Sequence, residues 1–324
     1  TASESRAMHA LEAASQVDAH PRLDALVAQA RQRAAARTPR IGLVYPCDAL
    51  TLDAACRIAA AGIGEPVLVG PRESIARAAA EAGIDIRAFE QVDTPESQAG
   101  TAQAAAWLAR DGRLDTLMKG ALHTDELMSA VVRRDNGLRG NSRITHAFLF
   151  DLPHYPKLLA LADCVVNIAP DLKTKHDILG NAVALLQRLG NATPKVGIVA
   201  AVETVTAAIP ATLDAQALVA QAHAGAWPGA IVEGPFGFDN VISAEAARIK
   251  KIGGQVPGAA DLLLVPDLNA GNMLYKSFVY IGGGDCAGLV LGTKVPVVLT
   301  SRADSAVARI ASVALSVLAA GRAA

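Results

Sequence analysis

Apolar residues recur at a helical period through 22–36 (RLDALVAQARQRAAA), then close up into the unbroken run RIGLVYP at 40–46, which reads as a short buried strand. A helix near 49–61 follows, then a strand at 66–70 (PVLVG), and a helix in PRESIARAAAEAG that Gly83 ends. The pattern continues with a strand at 84–90 (IDIRAFE), a helix near 96–110, a strand at 116–120 (TLMKG) and a helix from about Thr124. A second series begins at 145–153 (THAFLFDLP) and includes the apolar stretch 163–170 (DCVVNIAP). It runs on through a helix near 174–189, KVGIVAA (195–201), a helix around 214–223, GAIVEGP (229–235) and a helix near 243–251. ADLLLVPDLN (260–269), CAGLVLG (286–292) and VPVVLT (295–300) precede a last helix over roughly 304–320. Strands separated by helices of ten to fifteen residues predict an α/β fold with parallel sheet.

The rhythm breaks at NGLRGNSRITH, near 140–146, and nothing resembling a Gly/Ser or charged linker occurs. The boundary is placed there: a first α/β domain over 1–143, completed by 297–324, and a second over 144–296. With 324 residues the chain is long enough for two such units.

Composition narrows the chemistry. Residues are 52% hydrophobic but only 4% aromatic, so packing rests on Ala, Val, Ile and Leu. Lys plus Arg total 30 against 31 Asp plus Glu, a balance that gives no general attraction to nucleic acid or an anionic membrane. Cys47, Cys56, Cys164 and Cys286 show neither Cys-x-x-Cys spacing nor a disulfide framework. No run approaches a membrane span in length, and the reading is a soluble cytoplasmic protein.

Polar residues repeatedly follow the apolar runs: Lys119, Asp151, Asn167, Glu203, Glu233, Asp267 with Asn269, and Ser301 with Arg302. Ligands of open α/β sheets gather beyond strand carboxyl ends, so these suggest a lined cleft, although capping accounts for some equally well. No Gly-x-Gly-x-x-Gly fingerprint and no phosphate loop of the Gly-x-x-x-x-Gly-Lys type is present. YIGGGDCAG (280–288) is either an anion-binding turn or a flexible one. In MKGALHTDEL (118–127), Lys119 and His123 are candidate contacts to a phosphate or diphosphate, His123 more as a supporting residue, and Thr124 is a candidate cap. VEGPFGFDN groups Glu233, Asp239 and Asn240 in a polar turn, without a convergent oxygen set that would predict a metal. VPDLNAGNMLYKS brings Asp267, Asn269, Asn272, Tyr275 and Lys276 to a helix start.

The sharpest stretch is LTSRADS. Ser301 is either an activated nucleophile or a hydrogen-bond donor to developing negative charge, and no Gly-x-Ser-x-Gly elbow favours the first. Arg302 suits bidentate recognition of phosphate or carboxylate, and its burial without an anion would be costly. Asp304 is a base, an orienter of Arg302, or the cap of the last helix.

LMKGALHT, VNIAPDLKTKHDILGNAV, PKVGIVAAVETV, VEGPFGFDN, PDLNAGNMLYK and LTSRADS, in this order, resemble the phosphate acetyl/butyryltransferase family, with the butyryltransferase-like branch the nearer. The resemblance covers nearly the whole chain, most strongly 116–302. It implies two α/β/α domains with an interdomain cleft, a fold related to isocitrate and isopropylmalate dehydrogenases, and usually a homodimer. It also implies reversible acyl transfer between coenzyme A and inorganic phosphate, with acyl-CoA as substrate and neither metal nor tightly bound cofactor. Ser301 matches the serine that stabilises the oxyanionic intermediate, and Arg302 the arginine that holds phosphate or acyl phosphate. Asp267, Asn269, Gly271, Asn272, Tyr275 and Lys276 match the cleft signature, and Asp239 the acid-containing turn. Two departures stand out. The helix after Lys119-Gly120-Ala121 lacks the arginine of the acetyltransferases, and Ala308 stands where they carry an aspartate seven residues beyond the serine. Alternatives are a non-catalytic or regulatory acyl-CoA-binding homologue and, third, an NAD-dependent decarboxylating dehydrogenase.

Overall fold

A computed structural model describes residues 19–320. The first series comprises α1 (Pro21–Ala36), β1 (Arg40–Val44), α2 (Ala49–Ala61), β2 (Glu65–Gly70), α3 (Arg72–Ala82), β3 (Glu90–Asp93), α4 (Gln98–Arg110), β4 (Thr116–Lys119) and α5 (Thr124–Val132). The second comprises β5 (Thr145–Asp151), β6 (Leu159–Ala162), α6 (Leu172–Arg188), β7 (Lys195–Val199), α7 (Pro210–His223), β8 (Ile231–Phe236), α8 (Phe238–Ile242), α9 (Ala244–Ile249), β9 (Leu262–Leu264) and α10 (Leu268–Tyr280). β10 (Asp285–Leu291), β11 (Val297–Val298) and α11 (Ala306–Ala319) close the chain.

Local chemistry sets the helix ends. The Asp48 carboxylate accepts the Thr51 N–H at 2.7 Å and starts α2. Gly62 and Gly83, at φ 67° and 66°, end α2 and α3 in the left-handed conformation glycine adopts without strain.

Three expected elements shift. The run 84–90 is not a strand: Ile84, Ile86 and Phe89 pack on the core from a loop, and the polar stretch Glu90–Asp93 forms the edge strand instead. The strand expected within 163–170 lies earlier, at Leu159–Ala162, because the buried Asp163 carboxylate folds the following chain into a turn by accepting the N–H groups of Val165 and Val166 at 2.8 and 2.9 Å. The helix expected near 243–251 is the shorter α9, which starts just after Ser243, whose hydroxyl caps it, and the separate short helix α8 precedes it.

One sheet of eleven strands runs through both series in the order β3-β2-β1-β4-β11-β10-β5-β6-β9-β7-β8. β1 to β4 and β11 are mutually parallel, and so are β6 to β9. Between these sets β10 and β5 pair antiparallel to each other and to their outer neighbours. The two parallel sets therefore run in opposite directions, and their carboxyl ends emerge at opposite edges of the sheet. A single cleft cannot collect all the residues that follow strands.

One hydrophobic core covers a whole face of the sheet, drawing Leu23 from α1, Leu52 from α2, Leu179 from α6 and Leu315 from α11. The other face carries two separate cores, one centred on Leu117 and Leu127, the second on Phe150, Leu161 and Phe278. Between them an aromatic column crosses the sheet surface. His146 meets Phe148 edge-on at 4.5 Å, and Phe148 stacks on Tyr275 of α10 at 4.4 Å.

His146 is wholly enclosed, and burial pushes its imidazole down to about 4, with Asp163 opposing. Its folded-state value lies below the unfolded one, so the unfolded chain binds the extra proton between pH ~6.5 and ~4. Stability should fall across that window by roughly 3 kcal/mol from this group. Urea melts of wild type and His146→Gln check it: the variant should show a flatter pH dependence, and parallel curves would exclude the contribution.

Candidate active site

The β4–α5 turn and the segment after β11 meet at the carboxyl edge of the first parallel set, around a cleft of about 320 Å³. Lys119, His123, Ser301 and Arg302 line it, together with Asp48 and Arg309. The N-termini of α2 and α5 open onto the same space, adding unpaired N–H groups and positive dipole ends.

Backbone contacts hold the two halves together. Gly120 donates its N–H to the Val44 carbonyl at 2.9 Å, and Ala121 to the Tyr45 carbonyl at 2.8 Å. A Cβ on Gly120 would lie 2.5 Å from the Tyr45 carbonyl oxygen, so only glycine lets the β4–α5 turn sit against the β1–α2 turn.

Lys119 is half-buried, and among the described residues its ammonium makes one hydrogen bond, to the Gly120 carbonyl at 3.3 Å. Burial lowers its pKa. The charge of Asp48 works against that shift, Arg302 reinforces it and Asp304 opposes it. Among the described residues, neither Lys119, Arg302 nor Arg309 forms an ion pair. Three cations thus face the cleft without a carboxylate bound to them, the arrangement expected where a multiply charged anion completes the site.

The LTSRADS segment is a closed turn. The Ser301 N–H donates to Asp304 Oδ2 at 2.7 Å, and Ser301 Oγ accepts the Ala303 N–H at 3.2 Å. That leaves the Ser301 hydroxyl proton free to donate, and among the described residues no base is hydrogen-bonded to Oγ. Asp304 is not the cap of α11: Ser305 fills that role by accepting the Ala308 N–H at 2.9 Å, while its own hydroxyl donates to Asp285 at 2.6 Å. Arg302 is exposed, contrary to the expectation that it would be enclosed at the strand end; the buried arginine is Arg309. His123, not Thr124, occupies the cap position of α5 and is tied through its N–H to Gln98 Oε1 at 2.8 Å.

The remaining expected residues lie elsewhere. Asp267 caps α10 at the opposite edge of the sheet, accepting the Ala270 N–H at 2.9 Å, and Asn269 is exposed beside it. Gly271 lets α10 approach Cys164, and Asn272 reaches the Cys164 carbonyl at 3.5 Å. α10 then runs back toward the cleft. Burial, followed by the charge of Asp304, raises the Tyr275 hydroxyl, so this residue shares the electrostatic field of the LTSRADS turn. Lys276 is exposed one position on. Asp239 pairs with Lys250 at 3.2 Å, and Lys250 also reaches Glu203 at 3.7 Å. Three other residues expected beyond strand ends have structural tasks, Asp151 and Glu233 from within β5 and β8. Asp151 holds the start of α1 through Arg22, Glu233 accepts the Gln255 N–H, and Asn167 donates to Asp163. Gly284, in the glycine-rich turn, packs on Leu152 and Phe278.

Residues 96–317 match the family described as phosphate acetyl/butaryl transferase. The chain belongs to the phosphate acetyl/butyryltransferase family. It is 48% identical over 300 residues to a protein of Rhizobium meliloti named phosphate acetyltransferase, covering 92% of this chain and 93% of that one. It is 36% identical over 260 residues to the phosphate butyryltransferase of Clostridium acetobutylicum, covering 80% and 86% respectively. Among solved structures, a branched-chain phosphotransacylase from Enterococcus faecalis superposes with a TM-score of 0.78 at 28% identity, over 87% of this chain and 99% of that one. The dehydrogenase-like fold is also found: a 4-hydroxythreonine-4-phosphate dehydrogenase from Klebsiella pneumoniae superposes with a TM-score of 0.56 at 12% identity, over 88% and 100%. Both acetyl and butyryl names occur among the family relatives, so membership does not fix the acyl chain.

Sequence reasoning missed Asp48 and Arg309. Asp48 reads as an ordinary helix cap, and Arg309 as a lone charge in an otherwise apolar helix; only the fold brings them to the Lys119–Arg302 cleft.

Proposed function

We propose that the chain transfers a short acyl group reversibly between coenzyme A and inorganic phosphate, with the chemistry at the Lys119–Arg302 cleft. The convergence of unpaired cations and an available hydroxyl on one cleft carries this reading. Lys119 and Arg302 hold the phosphate and align one of its oxygens on the thioester carbonyl. As the O–C bond forms, Ser301 donates its hydroxyl proton to a hydrogen bond with the developing oxyanion. The C–S bond then breaks, and the proton of the attacking phosphate ends on the departing thiolate. In reverse, the coenzyme A thiolate attacks the acyl phosphate and releases phosphate. Asp304 orients the turn and is the nearest candidate to receive the thiol proton, since position 308 is alanine. His123 supports the turn, and Tyr275 shares the electrostatic field of the LTSRADS segment. Ser301→Ala should lower kcat about a hundredfold, leave measurable turnover and yield no covalent acyl–enzyme by mass spectrometry. Loss of all turnover, with an acyl group trapped on wild-type Ser301, would assign it as nucleophile instead.

The alkaline limb of kcat/KM for phosphate should reflect Lys119. Its cationic form binds the anion, and its depressed pKa brings the loss of affinity to lower pH than an exposed lysine would give. Lys119→Arg should move that limb upward, and an unmoved limb would assign it to another group.

The two separate cores on one sheet face support division into units 1–143 with 297–324 and 144–296. Met273, Tyr280 and Ile281 on the exposed side of α10 and just beyond it support a homodimer, which sedimentation would test. Four free cysteines accord with a reducing, cytoplasmic setting. The test of function is incubation with acetyl-, propionyl- and butyryl-CoA with and without phosphate. Free coenzyme A should appear only with phosphate, matched by acyl phosphate. Tight acyl-CoA binding without cleavage would make the chain a non-catalytic homologue.

A further inference from the structure

Arg309 is the one charged residue of α11, whose other positions are Ala, Val, Ile, Leu and Ser. It is 8% exposed and stands in the first turns of the helix, where the dipole disfavours a cation. No carboxylate pairs with it among the described residues; one guanidinium nitrogen donates to the carbonyls of Ser301 at 3.1 Å and Arg302 at 3.4 Å. Two neutral carbonyls do not offset the enclosure of a guanidinium with five donors. Yet none of its nitrogens is both sealed from solvent and unpartnered, and the side chain forms part of the cleft wall. Burial, the adverse helix end and the missing carboxylate are costs that one group would offset together: an anion in the cleft.

We propose that Arg309 is a direct ligand of the phosphate group, its guanidinium forming the floor of the anion site while the same side chain holds the Ser301–Arg302 backbone beneath the reacting atoms. This rests on the reading of the cleft as a phosphate acyltransfer site and adds a residue to it. The arrangement assigns Arg309 to phosphate more than to the acyl-CoA. An exposed arginine such as Arg302 loses little when the site empties, whereas Arg309 remains enclosed with its charge uncompensated.

The test uses the whole chain and the variants Arg309→Met, Arg309→Gln and Arg309→Lys. Inorganic phosphate should raise the melting temperature of wild type, and the rise should vanish in Arg309→Met and Arg309→Gln while their melting without phosphate is equal or higher. In kinetics, KM for phosphate should rise at least about tenfold with KM for acyl-CoA changed less than about threefold, and Arg309→Lys should recover part of the loss. A purely structural arginine would instead lower the phosphate-free melting temperature and raise both KM values together. That outcome, or an unchanged phosphate response in any folded variant, overturns the proposal. Should both neutral variants fail to fold, the structural role is established and the proposal fails. If wild type binds phosphate through Arg309 but cleaves no thioester, the anion site stands and the acyltransfer reading falls.

Discussion

Arg302→Ala is expected to lower kcat/KM for phosphate about a hundredfold, close to 3 kcal/mol of transition-state stabilisation, while leaving the fold intact. The side chain is exposed and makes no ion pair among the described residues, so its removal breaks no packing and strands no carboxylate. What it removes is a forked donor opposite Lys119, whose ammonium has a single carbonyl for company. Two cations gripping one dianion fix both its place and its direction, and alignment is where the rate of a bimolecular transfer is gained. Arg302→Lys should recover only part of the loss, because a point charge cannot hold two oxygens in a plane. Equal melting temperatures with the loss confined to kcat/KM for phosphate would support this account; an unchanged kcat/KM would contradict it.

Gly120→Ala is expected to be as damaging by a different route. The added methyl would overlap the Tyr45 carbonyl, a backbone group that cannot rotate away. Either the β4–α5 turn or the β1–α2 turn must move, breaking the Gly120–Val44 and Ala121–Tyr45 hydrogen bonds. The cost should be about 3 kcal/mol in urea unfolding with unchanged slope. Activity should fall more than about tenfold, since the displaced turn carries Lys119. A variant as stable and active as wild type would show that the two turns are not locked.

Why the candidate site was more legible than the sheet follows from what each depends on. MKGALHT and LTSRADS announce themselves because hydroxyls and cations at the ends of apolar runs have few structural uses, and both segments reach the cleft. Strand direction leaves no such mark. Whether Asp267 and Lys119 emerge at the same edge depends on the antiparallel pairs β10–β5 and β5–β6, and pairing is a property of the assembled sheet. The edge strand β3 escaped notice because at the margin Glu90–Asp93 has no need to be apolar, while Ile84, Ile86 and Phe89 fill the core without forming a strand. Arg309 was illegible for the opposite reason. Its neighbours are apolar nearly all round the helix, so no polar face marks where an anion would lie.

A crystal structure with inorganic phosphate and coenzyme A bound together tests the central claim most directly. Phosphate should lie within hydrogen-bond distance of Lys119 and Arg302, with the coenzyme A sulfur directed at it beside Ser301. Phosphate held at another edge of the sheet, with these side chains still facing water, would contradict the account.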